Sequence, residues 1–241
     1  MKLGQKAMEA LKEEITGSLL EGDDLVVAGA IALQGTALLV KYERKILEKT
    51  FSGGFMYDAE KCGELYGING SAPLRKEMSG RKGETAEEFL ERYGFSKEVS
   101  ERCHAVYAMG EGGVLCALWK MAEASGTGLE ADLRKIPIRQ ETIEICEKFD
   151  LDPYRLLSSG SVLLGTVRGI ELAEAFNQRK IPAAVIGRAV KGNNRILYSG
   201  KITRFLDRPG QDEITKMPWG DKWKSRGLFP GQERKNTVWQ D

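Results

Sequence analysis

Gly110-Glu111-Gly112-Gly113 stands directly before an apolar-periodic stretch that runs from Val114 to Ser125. The first N–H groups of a helix lack internal partners and carry the positive end of its dipole. Glycines let a ligand approach the backbone there, so the junction has the makings of a phosphate or carboxylate site. On the local pattern alone the plainer reading is preferred: a glycine turn with Glu111 favourably placed at the positive helix end. Ser158-Ser159-Gly160-Ser161, before the apolar VLLGTV, puts hydroxyls and a glycine at the mouth of a strand. They can line a polar pocket, or form an ordinary turn whose serines bond their own backbone. Taken alone, that segment reads as the turn. These two segments are the candidate anion-binding residues; no catalytic residue and no metal ligand is assigned.

Other chemistry is excluded by what the chain contains. A single histidine, His104, rules out a His-rich metal site, an HExxH zinc helix and a two-histidine proton relay. Cys103 precedes it, but neighbours on a strand point to opposite faces, so a Cys–His pair is not formed. Cys62, Cys103, Cys116 and Cys146 include no CxxC, and they read as small core residues. Arg75, Lys76, Arg81 and Lys82 form a basic loop without interleaved aromatics, which reads as solvated. The 36 Lys+Arg against 35 Asp+Glu leave a net charge of +1, so no cationic face for nucleic acid is expected. The start, MKLGQKAMEALKEEI, has no apolar signal core, and no apolar run approaches the ~20 residues a membrane span needs. A cytoplasmic protein with reduced thiols is expected.

The elements that would position these residues alternate. An amphipathic helix is expected over 3–20, an apolar strand over 25–33 and a helix from Gly35-Thr36 to about Lys49. A third helix covers about 55–66. Residues 71–84 (SAPLRKEMSGRKGE) read as an exposed loop, and Thr85 with Glu88 has capping-box spacing before a short helix. Cys103 to Met109 reads as a strand and Val114 to Ser125 as a helix. Ala131 to Ile138 is extended, and 140–149 is a helix. A strand follows Ser158-Ser161, then a helix over 169–179, a strand over 181–190, and two short strands within 195–206. Strands alternating with helices make an α/β domain. The last stretch carries Trp219, Trp223 and Trp239, and is expected to dock by its aromatics.

Taken in order, several segments resemble a known family. GEGGVLCALWKMAEASGTGLEADLRKIPI (110–138), RQETIEICEKFDLDPYRLLSSGSVLLGTV (139–167) and IPAAVIGRAV (181–190) are similar to the C-terminal domain of the AIR synthase (PurM-like) superfamily. Within it, the likeness is to HypE-type hydrogenase maturation factors and AIR synthase-related proteins. GDDLVVAGAIALQGTALLVKYERKIL (22–47) looks like the domain's first strand and helix, and RFLDRPGQDEI (204–214) like its close. The resemblance implies an α/β (α+β) fold with a mixed sheet and helices packed mainly on one face. It implies a division into an N-terminal helix (1–21), the family domain (22–214, with 67–102 a divergent insertion) and a Trp-rich tail (215–241). Family members use ATP to activate a carbonyl or amide oxygen, with most of the ATP and metal site in an N-terminal domain.

The sequence departs from that family in ways that set its expectations. The family pattern close to H-D-x-[TS]-[ER]-G-G is matched here at Glu111, Gly112 and Gly113, but Tyr107 replaces the histidine and Ala108 the acid. The N-terminal domain is expected to be missing, and the end at Trp239-Gln240-Asp241 lacks the HypE carrier cysteine. Phosphoryl transfer needs nucleotide, Mg²⁺ and charge clamps held together. The expectation is therefore a binding or assembly protein, hydrogenase-maturation-like, with no cofactor on this chain alone and no independent enzyme activity. Two alternatives stand beside it: one half of a split ATP-dependent synthase, which would use ATP and Mg²⁺ once a partner completes it, and a sensor of small anions. A homodimer or a separate protein partner is expected on the surface left by the missing domain.

Overall fold

Leu25-Val26-Val27-Ala28 carries no polar side chain, and the fold is built on both of its faces. The computed structural model describes residues 3–67 and 83–220, with the side chains of 63–66 excepted. The strands are β1 (Thr16–Gly17), β2 (Asp24–Ala28), β3 (Cys103–Ala108), β4 (Gly128–Asp132), β5 (Val162–Thr166), β6 (Ala183–Val190), β7 (Arg195–Ser199) and β8 (Ile202–Phe205). The helices are α1 (Gln5–Glu13), α2 (Leu33–Leu47), α3 (Gly53–Tyr66), α4 (Ala86–Arg92), α5 (Lys97–Ser100), α6 (Gly113–Ser125), α7 (Gln140–Lys148) and α8 (Gly169–Gln178). One sheet runs in the order β1-β3-β5-β2-β6-β4-β7-β8. Its neighbours are antiparallel except β4 and β7, which are parallel.

Alternation along β2 splits the core. Leu25 and Val27 join Leu11 and Ile15, beside α1, and Val114, Leu118 and Met121 of α6. Val26 and Ala28 join Phe89 and Leu90 of α4 and Leu172 and Phe176 of α8. A third cluster gathers α2, α3 and α7 through Leu39, Leu47, Met56, Ala59, Ile145 and Cys146. The mixed α/β class expected from the sequence is what the structure shows. The helices, expected mainly on one face, are divided: α1 and α6 cover one face of the sheet, and α4 and α8, with Val99 of α5, cover the other.

Local departures have local causes. The N-terminal helix expected through residue 20 ends at Glu13, and Thr16-Gly17 pairs with Val106-Ala105 instead. Gly17 sits at φ +79°, and a Cβ there would stand 2.0 Å from the His104 carbonyl oxygen. The strand expected over 25–33 stops at Ala28, because Gly29 (φ +81°) and Ala32 (φ 59°) turn the chain into α2. The Thr85–Glu88 capping box is present, with Glu88 N–H on Thr85 Oγ1 at 3.1 Å and Thr85 N–H on Glu88 Oε2 at 2.8 Å. Of the tail, Trp219 stacks on Tyr42 with ring centroids 4.6 Å apart, and its indole N–H donates to Glu43 at 2.7 Å. Trp223, Trp239 and the basic loop Arg75–Lys82 lie outside the described residues. Among the described residues no helix is long and apolar enough to cross a membrane.

Candidate functional site

The glycine turn and the serine turn meet. Met109, at the end of β3, donates its N–H to the Ser161 carbonyl at 2.9 Å, and Ser158 N–H donates to the Gly110 carbonyl at 3.0 Å. Helix α6 starts at Gly113 behind a left-handed Gly112 (φ +76°). Gly113 is itself at φ +63°, and a Cβ there would stand 2.5 Å from the Tyr154 carbonyl oxygen. Only glycine fits a helix start pressed this closely on backbone.

The polar groups of both turns are largely spoken for by the chain itself. Ser158 Oγ accepts from Ala32 N–H at 2.9 Å and donates to the Leu156 carbonyl at 2.8 Å. Ser161 Oγ donates to the Ala30 carbonyl. These two hydroxyls therefore hold the Gly29–Ala32 turn that opens α2. Ser159 Oγ is buried without a hydrogen-bond partner, and Gly160 takes φ +103°.

At the helix start the anion is already present. Asp212, only 3% exposed, accepts Gly112 N–H at 2.6 Å on Oδ2 and Ile214 N–H at 2.9 Å on Oδ1. Burial pushes its carboxyl up to about 6, against hydrogen bonds from the Ile214, Gly112 and Leu157 backbone, with the Glu111 charge adding to the rise. The cleft beside it, lined by Gly112, Cys116, Arg155, Asp207 and Gln211, has room for about one water. Asp212 was not singled out by the sequence reading. Its one signal was a turn-forming PGQDE followed by Ile214, the spacing of an aspartate that caps the N–H two residues on.

Where the family pattern has histidine and acid, the structure has a clamp. Tyr107 is buried, and its hydroxyl donates to Glu14 at 3.3 Å. Burial pushes that hydroxyl up to about 12. Lys120 Nζ reaches the same Glu14 oxygen at 2.6 Å, so the end of α1 is tied to β3 and α6. Ala108 offers no acidic group. His104 pairs with buried Asp23 through Nδ1 at 2.8 Å, while Cys103 lies in the core of the opposite face. All four cysteines are free and buried, and burial raises each thiol, those of Cys62, Cys103 and Cys146 to about 12. Among the described residues no group of three or more His, Cys, Asp or Glu side chains could hold a metal ion.

The roomier depression is elsewhere. A shallow groove of about 570 Å³ lies over β4, β6 and β7, with Asp24, Glu130, Asp132, Arg134, Arg188 and Tyr198 in its lining. Its charges are partly matched internally, Asp132 with Arg134 at 3.0 Å and Asp24 with Arg188 at 3.7 Å.

Comparison with known proteins follows the fold. A candidate hydrogenase expression/formation protein of Methanocaldococcus jannaschii is 27% identical over 204 residues, 82% of this chain and 51% of that protein. The phosphoribosylformylglycinamidine synthase subunit PurL of Thermosynechococcus vestitus is 33% identical over 119 residues, 47% of this chain and 15% of that one. The chain thus spans about half the length of the first of these relatives and a small part of the second. Among solved structures, HypE of E. coli superposes with a TM-score of 0.57 at 20% identity, over 82% of this chain and 53% of that chain. A chain of a solved HypE–HypF complex does so with 0.56 at 17% identity, over 80% and 55%. At these identities the structures speak for the fold alone. The sequence family described as AIR synthase related protein, C-terminal domain, matches residues 21–199, from the approach to β2 through the last residue of β7. The chain belongs to the family of AIR synthase related C-terminal domains.

Proposed function

We propose that this chain is a binding and assembly protein of the hydrogenase-maturation kind, and that it does not drive an ATP-dependent reaction by itself. The observation that carries the reading is Asp212. Its carboxylate takes the Gly112 N–H that an incoming phosphate would need, and at neutral pH it is charged. A phosphate at that helix start would meet a buried like charge. The Tyr107 and Ala108 replacements, which supply no metal-binding acid at the end of β3, support the same reading. The partner we infer is a separate protein. A solved HypE–HypF complex is among the structures similar in fold, and it suggests a HypF-type protein of the same organism as the first to try. Such work belongs in the cytoplasm.

The test has two parts. ATP with Mg²⁺, and inorganic phosphate, are titrated into the chain at neutral pH by calorimetry; no binding is expected. The chain is then mixed with the HypF-type protein and analysed by size exclusion with light scattering; a complex of defined stoichiometry is expected. Stoichiometric ATP binding or ATP hydrolysis by the chain alone overturns the reading. A second reading, in which an ATP-binding domain must be added for activity, is kept because the M. jannaschii relative extends beyond the half of it that this chain matches. ATPase activity appearing only when such a domain is added would select it.

A further inference from the structure

Strand β8 ends the sheet, and among the described residues nothing pairs with its outer side. Leu206 N–H donates to the Arg195 carbonyl at 2.8 Å, continuing the register in which Leu197 faces Arg204 and Ser199 faces Ile202. Hydrogen-bonding direction alternates along an antiparallel strand. Ile202 and Arg204 therefore bond back to β7, and Thr203 and Phe205 present their N–H and C=O groups to the open edge. All of β8 is exposed, with Ile202 at 66% and Phe205 at 67%. Natural proteins commonly blunt such an edge with charge, proline, a bulge or a cover. Here the charge has one sign. From Arg195 to Leu206 the chain carries Arg195, Lys201 and Arg204 and no acid. Arg195 is paired with Glu123, whereas Lys201 and Arg204 take no salt bridge among the described residues.

We propose that β8 accepts an added strand from a partner protein, an extended segment in which pairs of acidic residues alternate with pairs of apolar ones, so that each of its faces carries both kinds. The outward backbone of Thr203 and Phe205 would supply the ladder, as in other strand-addition complexes. Ile202 and Phe205 would supply apolar contact on the two faces, and Lys201 and Arg204 the charge selection. Other occupants fit worse. A second copy would bring Lys201 and Arg204 of both chains into one ladder, and like charges across strands are destabilising. The stretches 68–82 and 221–241 of this chain each hold more Lys+Arg than Asp+Glu. Single-stranded nucleic acid wants a row of stacking aromatics, and β8 has Phe205 alone. The inference rests on β8 and stands apart from the function proposed above.

The test uses the full chain and a fluorescein-labelled peptide that repeats Glu-Glu-Val-Val, read by anisotropy. A lysine–valine peptide and oligouridylate serve as comparisons. Saturable binding of the acidic peptide alone is expected. Thr203→Pro removes one outward N–H without touching the β7 ladder, and should weaken binding by about tenfold, the equivalent of one lost ladder hydrogen bond. Arg204→Glu should shift preference toward the lysine peptide, and unchanged thermal melting verifies the fold of both variants. Absence of acidic-peptide binding, binding that neither substitution alters, or equal binding of oligouridylate overturns the proposal. A failed peptide experiment leaves the Asp212 argument intact.

Discussion

At Asp212 two effects oppose each other. Its hydrogen bonds to Gly112 and Ile214 favour the charged form, burial favours the neutral one, and burial dominates, leaving the carboxyl at about 6. An unfolded aspartate titrates near ~3.9. Between those values the folded protein holds more protons than the unfolded chain, so stability falls as pH rises. The stability linked to this group is fully present below about pH 4 and lost above about pH 6, a change on the order of 3 kcal/mol. Asp212→Asn cannot titrate. We expect urea unfolding of the variant to lack that component, so that wild type and variant diverge progressively from about pH 4 to about pH 7. Parallel pH profiles would show that Asp212 is not the group responsible. The glycine and serine turns were legible as residues because their conformational demands are local. Asp212 was not, because its role depends on a contact with Gly112, 100 positions away, that no spacing rule reports.

Elements were legible where a period or a cap was strong. The helices at 113–125 and 140–148 and the strand at 103–108 lie close to where apolar spacing put them. The first helix was over-extended because Ile15 and Leu19 continue its apolar rhythm, yet they are buried beside β1 rather than on a helix. Burial of a residue does not tell which backbone delivers it. Helix α4 is the opposite case, short at seven residues, yet its start was readable from the Thr85–Glu88 pair. Thr85→Ala removes the side-chain oxygen that Glu88 N–H uses. We expect it to destabilise the protein by about 1 kcal/mol. Chemical denaturation measures this directly, and no loss at all would mean that the Thr85 cap adds nothing to the stability of the fold. Because α4 carries Phe89 and Leu90 into the second core, a loss well beyond that range would instead point to repacking there.

For the whole molecule the sheet order matters more than any single strand, and it was the least legible feature. Apolar runs identify strands but not their neighbours, so the division of helices between two faces could not be read from the pattern. Strand β2 lies between β5 and β6, and both come from the far side of the chain. A fragment of residues 1–160 keeps β2 and loses both neighbours. We expect it to show no cooperative thermal transition and rapid proteolysis, and a cooperatively folded fragment would contradict the central role given to β2. The same arrangement sets a timetable during synthesis. Leu25 to Ala28 leaves the ribosome early, and Val162 to Thr166 follows only after ~7–30 s at ~5–20 residues per second. Through that interval the greasiest stretch of the nascent polypeptide has no permanent mate, so chaperone supply is expected to govern the yield of this protein in a host cell.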